Sequence, residues 1–133
     1  MKKIIVLMFL GFLFVQGCAT TESIRKLEKQ GSARSYSESY EKIWEAALFS
    51  CGQHGLVIKE TEKERGYISA HKPLRAESWG EVVGIWINKK QANTVEVRVV
   101  SRRVGPALFF WYNWEKPILD SIETYLKLKD PTL

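Results

Sequence analysis

The sequence has few of the residues on which most catalytic and metal sites depend. Its 133 residues include two cysteines, Cys18 and Cys51, and two histidines, His54 and His71. Nucleophilic catalysis by serine or cysteine requires a histidine base and an acidic residue that orients it, and neither a Gly-x-Ser-x-Gly motif nor a glycine-rich phosphate loop is present. The Cys51-x-x-His54 spacing lacks the further ligands of a metal site. We therefore predict a protein that is not an enzyme and that carries no metal or cofactor.

The chain also lacks a strong charge of either sign. It has 20 Lys and Arg against 15 Asp and Glu, a formal net charge of +5. Lys2 and Lys3 belong to a segment that we predict to be removed, which leaves 18 basic against 15 acidic residues, or +3. Export and so small an excess argue against a nucleic-acid partner, whereas a slight positive charge suits an anionic membrane surface. The 45% hydrophobic and 26% charged content excludes a largely disordered chain.

No apolar run is long enough to cross a bilayer. The longest, Ile4 to Val15, has 12 residues, and a membrane-spanning helix needs about 20. Lys2 and Lys3 precede this run, and small residues follow it. This pattern is typical of an export signal, which we assign to residues 1–17.

The residues that end this signal, Val15-Gln16-Gly17-Cys18, resemble the lipobox of bacterial lipoproteins. The resemblance implies that the Cys18 thiol receives a diacylglyceryl group, that cleavage falls before Cys18 and that the new amino terminus is acylated. Several acyl chains on one residue give stable membrane anchoring. By resemblance to lipoprotein sorting, Ala19 in place of Asp favours the outer membrane, facing the periplasm. The alternative is an ordinary secretory signal that ends at a cysteine.

We divide the rest of the chain into a tether and one domain. Residues 18–32 are polar and charged, with Ile24 and Leu27 as their only large apolar side chains, and we predict a flexible tether. About 14 flexible residues have a root-mean-square reach of roughly 20 Å. Residues 33–130 then form a single α+β domain. Cys51, left without a disulfide partner, is predicted to be a buried structural thiol, with a reactive thiol or an intermolecular bridge as alternatives.

The periodicity of apolar residues predicts two helices. Steps of three and four residues from Tyr40 to about Gln53 indicate an amphipathic helix with Ser39 as its N-cap. A second helix is predicted over 114–127, with Asn113 as its N-cap and a proline in its first turn, where no hydrogen bond is lost.

Between the helices, apolar residues alternate with polar ones, which indicates strands. Four strands are predicted, at about 56–59, 67–70, 79–88 and 94–101, with turns near Glu64–Gly66 and Lys89–Asn93. A fifth, short edge strand at 33–36 is left open. The fold class is α+β: a two-layer sandwich in which both helices cover one face of an antiparallel meander.

Over its whole length the chain resembles families of small bacterial lipoproteins that carry a domain of unknown function. The matching pieces are the lipobox, Ile43-Trp44, Gly55 to Ile58, Gly66-Tyr67-Ile68-Ser69-Ala70 and Thr94-Val95-Glu96-Val97-Arg98-Val99 before a last helix. The layout is also loosely similar to the helix-grip domains of the accessory lipoprotein in the outer-membrane β-barrel assembly machine. Neither resemblance brings a catalytic motif, and the aromatic run before the last helix departs from the small, polar loop expected there.

Two features are candidate binding surfaces. The first is the run Phe109-Phe110-Trp111-Tyr112-Asn113-Trp114, in which some rings belong to the core and exposed ones suit a protein contact. The second is the sheet face that points away from the helices. If Ile58, Ile68, Ile85 and Val97 face the helices, then the outward residues are Val57, Tyr67, His71, Trp86, Arg98 and Val100. The alternatives are a sheet surface without a binding role and a register error of one residue.

These features predict a lipid-anchored, non-enzymatic binding or assembly module that contacts another envelope protein. Its predicted partner-binding residues are Tyr67, Trp86, Arg98, Phe110, Trp111 and Tyr112. The alternative is a small apolar or lipid-like ligand bound between the sheet and the aromatic loop.

Overall fold

A computed structural model describes residues 21–74, 80–105 and 111–132. Its helices are α1 (Thr21–Arg25), α2 (Tyr40–Gln53) and α3 (Glu115–Lys129). Its strands are β1 (Ser32–Tyr36), β2 (Val57–Glu62), β3 (Tyr67–Lys72), β4 (Glu81–Gln91) and β5 (Thr94–Arg103), with a short 3-10 turn at Lys63–Arg65. The predictions made for Cys18, Phe109 and Phe110 concern residues outside the described ranges.

The strands form one antiparallel sheet in the order β1-β5-β4-β3-β2. The predicted meander is therefore confirmed, and the edge strand that the sequence left open is present, with Ala33 opposite Arg98. Helices α2 and α3 pack on the same face of the sheet. The chain thus has the predicted α+β fold with two layers.

The main core lies between this helix pair and the sheet. Its fully buried side chains include Ile43 of α2, Ile68, Ile85 and Val97 of the sheet, and Ile118 of α3. Alternation along the strands produces this arrangement, because every second side chain points to the helices. Cys51 is buried in the same core, and burial raises the pKa of its thiol to about 12. The prediction that Cys51 is buried is confirmed.

The helix ends differ slightly from those predicted. Ser39 is the N-cap of α2, and its hydroxyl oxygen accepts a hydrogen bond from the Lys42 amide at 3.4 Å. At α3 the N-cap position belongs to Trp114 and not to Asn113, which was the prediction. Asn113 lies one residue earlier, and its side-chain oxygen still accepts a hydrogen bond from the Glu115 amide at 2.9 Å. The Asn113 side chain therefore satisfies one of the free amide groups at the start of α3, from the position before the N-cap.

Ile58 is less buried than the alternation predicts. It lies opposite Ala70, a buried residue, and so on the helix side of the sheet. Its strand is an edge strand with a register shift between Ile58 and Glu60, and the Ile58 side chain stays 39% exposed. The periodicity correctly predicted the face on which Ile58 lies. It could not predict that β2 is at the edge of the sheet, where side chains stay more exposed.

The segment that we predicted as a flexible tether is structured over part of its length. Residues Thr21–Arg25 form α1, and Ile24 is fully buried against the sheet face opposite α2 and α3. The prediction was wrong for these residues, because two apolar side chains, Ile24 and Leu27, in an otherwise polar segment are too few to establish a period that could indicate packing. Among the described residues, no helix is both long and apolar enough to span a membrane.

Candidate functional site

The outward face of the sheet brings three of the predicted site residues together. Tyr67 of β3 lies opposite Trp86 of β4, and Trp86 lies opposite Arg98 of β5. The Tyr67 and Trp86 rings contact each other, with centroids 5.3 Å apart. The predicted row of outward side chains is therefore present in the predicted register.

This row is nevertheless covered. Tyr67 is 3% exposed and Trp86 is 4% exposed, because α1 lies over them. Together they form the outer-face cluster, which consists of Ile24, Tyr67, Val82, Trp86 and Val100. Our prediction that Tyr67 and Trp86 are exposed was wrong. Sequence reasoning missed Ile24 as the residue that covers them, and the only available signal was the three-residue step from Ile24 to Leu27, which also packs against this cluster.

A glycine in the middle of β4 allows the close packing of this cluster. A Cβ atom at Gly84 would lie 2.5 Å from Cη2 of Trp86 and 3.3 Å from Cγ1 of Ile24. The Trp86 indole therefore occupies the space that a side chain at position 84 would need. Glycine within a strand often marks such a close approach.

Helix α1 is held in place by an arginine. The Arg25 guanidinium donates hydrogen bonds to Glu60, at 2.8 Å, and to Glu62 of β2. Its carbon Cζ also lies 4.5 Å from the centroid of the Tyr67 ring, within the range of a cation–π contact. The hydrogen bond from Arg25 lowers the pKa of Glu62, and the two carboxylates raise that of Arg25.

The chain after α1 is fastened to β5. Arg102 donates a hydrogen bond to the side-chain oxygen of Gln30 at 2.8 Å, and Arg98 approaches the Gly31 carbonyl at 3.5 Å. Arg98, which we predicted as a partner contact, is therefore engaged with the chain's own N-terminal segment.

Three polar atoms on the outer face make no hydrogen bond of normal geometry among the described residues, although the Tyr67 hydroxyl lies near the side chains of Ser69 and Arg25. They are the Tyr67 hydroxyl, the Ser69 hydroxyl and Nδ1 of His71. The three residues alternate along β3, so their side chains point to the same face. By contrast, buried hydroxyls on the helix side are satisfied: Tyr36 donates to the Leu119 carbonyl and Ser50 to the Ile118 carbonyl.

The aromatic run has two of its rings at the surface. Trp111 is 42% exposed and Tyr112 is 54% exposed, whereas Trp114 packs partly against the main core. The Tyr112 and Trp114 rings contact each other, with centroids 4.5 Å apart. The prediction that this run divides between core and surface is confirmed for its described residues.

A buried carboxylate holds this run. Glu81, the first residue of β4, is 1% exposed. It accepts a hydrogen bond from the Tyr112 amide at 3.0 Å and another from the Trp114 indole N–H at 3.3 Å. Lys72, opposite Glu81 in the sheet, lies 5.1 Å from the Trp114 ring. Sequence reasoning missed Glu81, because its partners are about 30 residues away along the chain.

An open groove continues from Tyr112 along the helices. It has a volume of about 660 Å³ and lies between α2 and α3. Residues that line it include Phe49, His54, Tyr112, Pro117, Thr124 and Leu128. Phe49 and Leu128 are exposed. We call Trp111, Tyr112, Phe49 and Leu128 the aromatic surface. Phe49, Tyr112 and Leu128 line the groove together with the charged Lys116 and Asp120, and Trp111 is next to Tyr112 in the chain. Exposed apolar side chains gathered at one groove often mark an interaction site.

The residues considered for catalysis have structural contacts. His54 Nε2 lies 3.2 Å from the Pro117 carbonyl oxygen, and the His54 ring contacts that of Trp114. Cys51 is buried. In the described ranges, no three Cys, His, Asp or Glu side chains are grouped as a metal ion would require.

No protein-family model matches this chain, and no curated protein is significantly similar to it in sequence.

Proposed function

We propose that the protein is a lipid-anchored envelope lipoprotein of bacteria, a non-enzymatic binding or assembly module that contacts another envelope protein through its aromatic surface. One observation carries the proposal: a fully buried carboxylate, Glu81, holds the backbone of a segment whose own rings, Trp111 and Tyr112, remain exposed. The sequence supports the anchor through Cys18 and its lipobox.

The Glu81 side chain is almost fully buried, and burial of a carboxyl group costs free energy because the group loses its hydration. A buried polar group is tolerated only where hydrogen bonds compensate its lost hydration. Two of the compensating donors come from the aromatic run, the Tyr112 amide and the Trp114 indole. The fold thus fixes the position of Trp111 and Tyr112 without burying them. Preorganised Trp and Tyr side chains are the residue types that contribute most at protein interfaces.

The position of α1 supports an arrangement of the two faces relative to a membrane. Three residues beyond Cys18 the chain enters α1, and three extended residues reach about 10 Å at most. A lipidated Cys18 would therefore hold the outer sheet face close to the bilayer. The aromatic surface lies on the opposite, helix side, and it would face the periplasm if the anchor is in the outer membrane.

The anchor is tested by Cys18→Ser in the native host. We expect loss of radiolabelled palmitate incorporation and release of the protein from the membrane fraction. Gln16→Ala, a change in the signal that leaves the cysteine and its small neighbour, is the matched control and retains the label. Labelled, membrane-bound Cys18→Ser protein would contradict the anchor.

The contact surface is tested by site-specific crosslinking in the envelope. A photoreactive amino acid at Tyr112 is expected to give a discrete crosslink to an envelope protein, and the same group at Glu64, in the exposed turn between β2 and β3, is the control. Trp111→Ala should abolish the crosslink, whereas Leu74→Ala, which removes an exposed leucine elsewhere, should not. A crosslink that is equal from both positions would contradict this surface.

The groove favours a second candidate, the binding of a small apolar or lipid-like ligand. Its volume of about 660 Å³ lies within the range of small-molecule sites, roughly 300–1,000 Å³. Mass spectrometry of the protein purified from its envelope distinguishes the two candidates. A bound lipid that is lost with Phe49→Ala supports the ligand, and an empty groove with a retained crosslink supports the protein partner.

A further inference from the structure

Helix α1 occupies the outer sheet face in the way a bound peptide would. It inserts one apolar side chain, Ile24, between Val82, Trp86 and Val100, and it places one cation, Arg25, on a pair of carboxylates. A helix of five residues is not stable by itself in water. Its conformation therefore depends on the face beneath it.

The fit between α1 and this face is incomplete. The hydroxyls of Tyr67 and Ser69 lie near each other but are buried without a well-formed hydrogen bond, and Nδ1 of His71 is buried without a hydrogen bond of any kind. A buried polar group that makes no hydrogen bond destabilises the folded state, because it has lost its hydration and gained no partner in exchange. Buried hydroxyls on the helix side of the same sheet, Tyr36 and Ser50, have their partners. Among the described residues, the deficit is thus confined to the outer face of the sheet, the face on which α1 lies.

The chemistry of the covered face defines what would bind there better than α1. Glu60 and Glu62 receive a cation, the outer-face cluster receives an apolar side chain, and the row of Tyr67, Ser69 and His71 offers hydrogen bonds that α1 leaves unused. A segment that supplied all three would satisfy the buried polar atoms, whereas α1 supplies only the first two.

We propose that the outer sheet face is a binding site for a segment of a partner protein, and that α1 closes this site as an internal competitor. The partner segment carries an apolar side chain next to an Arg or Lys, together with polar side chains that reach Tyr67, Ser69 and His71. The partner binds only molecules in which α1 is undocked. Its apparent affinity is therefore the intrinsic affinity multiplied by the undocked fraction. This site is separate from the aromatic surface and does not rest on the function proposed above.

The first test measures binding of a peptide in place of α1. The full-length protein with Ile24→Ser and Arg25→Ala is titrated with a fluorescent peptide of residues 21–30. We expect binding at least tenfold tighter than to the wild-type protein, in which α1 competes, or to a Lys29→Ala control. Glu62→Lys in the released variant should abolish binding. Equal binding to wild type and released variant, or binding unaffected by Glu62→Lys, would overturn the proposal.

The second test identifies the preferred segment. Ten-residue peptides selected from a random library on the released variant should be enriched in an apolar residue next to Arg or Lys. Tyr67→Phe and Ser69→Ala remove the unpartnered hydroxyls, and each should weaken the selected peptides at least fivefold while leaving the peptide of residues 21–30 unchanged. Selection without a cation, or equal effects on both kinds of peptide, would count against the site.

A third measurement uses the unaltered protein, so that it stands even if the released variant does not fold. Amide hydrogen exchange in α1 should be at least a hundredfold faster than in α2, because α1 is one short turn held by a single buried side chain, Ile24, and by the partly exposed contacts of Arg25. Exchange as slow as that of α2 would overturn the proposal. So would a wild-type dimer in which α1 of one copy occupies the face of the other.

Discussion

The buried Glu81 carboxylate accepts a hydrogen bond from the backbone N–H of Tyr112 at 3.0 Å, across 31 residues of sequence. This bond joins the first residue of β4 to the segment before α3, and it holds an exposed tyrosine in a fixed place. The second oxygen of Glu81 accepts from the Trp114 indole. Both oxygens are thus used to position one short segment.

Glu81→Gln is expected to destabilise the protein, although the two side chains have nearly the same shape. A glutamine presents an NH₂ group to one of two donors, the Tyr112 amide or the Trp114 indole N–H, and so leaves buried groups unsatisfied. We expect a loss of about 1–3 kcal/mol in the free energy of unfolding, measured by urea denaturation. Glu28→Gln, at an exposed position, is the control and should change it by less than about 0.5 kcal/mol. Equal stability of both variants would contradict the role of Glu81.

Gly84→Ala and Gly52→Ala are expected to have opposite effects. At position 84 the added Cβ would lie 2.5 Å from the Trp86 ring, so the indole and Ile24 must move, and we expect a loss of about 1–3 kcal/mol. At position 52, within α2, it meets no atom within 4 Å, and alanine is the better helix former by roughly 0.5–1 kcal/mol. Thermal unfolding measures both, and tryptophan fluorescence should change only for Gly84→Ala. A stabilising Gly84→Ala would show that the indole does not occupy that space.

Docking of α1 is expected to weaken at acid pH. Arg25 lowers the pKa of Glu62 below its ordinary value of 4.5, so the ionised carboxylate is favoured in the docked state. The contribution of this pair is fully present above pH 4.5 and is lost as the pH falls through the lowered pKa. Hydrogen exchange in α1 should therefore accelerate, relative to that in α2, as the pH is lowered below about 4.5, and Arg25→Ala should remove that dependence. The same pH dependence in Arg25→Ala would assign the effect to other carboxylates.

The Cys51 thiol is expected to be unreactive in the native protein. Burial raises its pKa to about 12, so that almost no thiolate is present at neutral pH, and the sulfur is shielded by the core. In a Cys18→Ser protein, Cys51 is the single cysteine, and its labelling by a maleimide should proceed at the rate of global unfolding. Complete labelling should follow addition of denaturant. Rapid labelling of the native state would instead favour the reactive thiol that the sequence left as an alternative.

The sequence predicted the elements of the sheet layer well because apolar alternation is a local property. The turn at Glu64–Gly66 and the pairing of β3, β4 and β5 follow the predicted pattern. The row of Tyr67, Trp86 and Arg98 was also assigned to the correct face, because a strand alternates its side chains without exception over this length. These predictions depended only on the two-residue period of apolar side chains along each strand.

The candidate surfaces were predicted less completely. Exposure of Trp111 and Tyr112 agrees with the sequence, but burial of Tyr67 and Trp86 does not. Ile24, which covers them, belongs to a mostly polar segment, and its burial depends on residues of its cluster that lie 43 to 76 positions further along the chain, from Tyr67 to Val100. Glu81 is a charged residue whose burial depends on donors about 30 residues away. No local pattern in the sequence indicates the contacts of Ile24 or those of Glu81.

The sequence by itself determined strands β2 to β5, the two long helices and which face each strand residue occupies, because these follow from the period of apolar side chains along the chain. Only the tertiary structure decided which of those faces is covered. The helix pair covers one face, as expected, and five residues near the N-terminus cover the other. Coverage depends on which segments, distant in the sequence, pack against the sheet. Side-chain packing and a few ion pairs, such as those of Arg25 with Glu60 and Glu62, decide this.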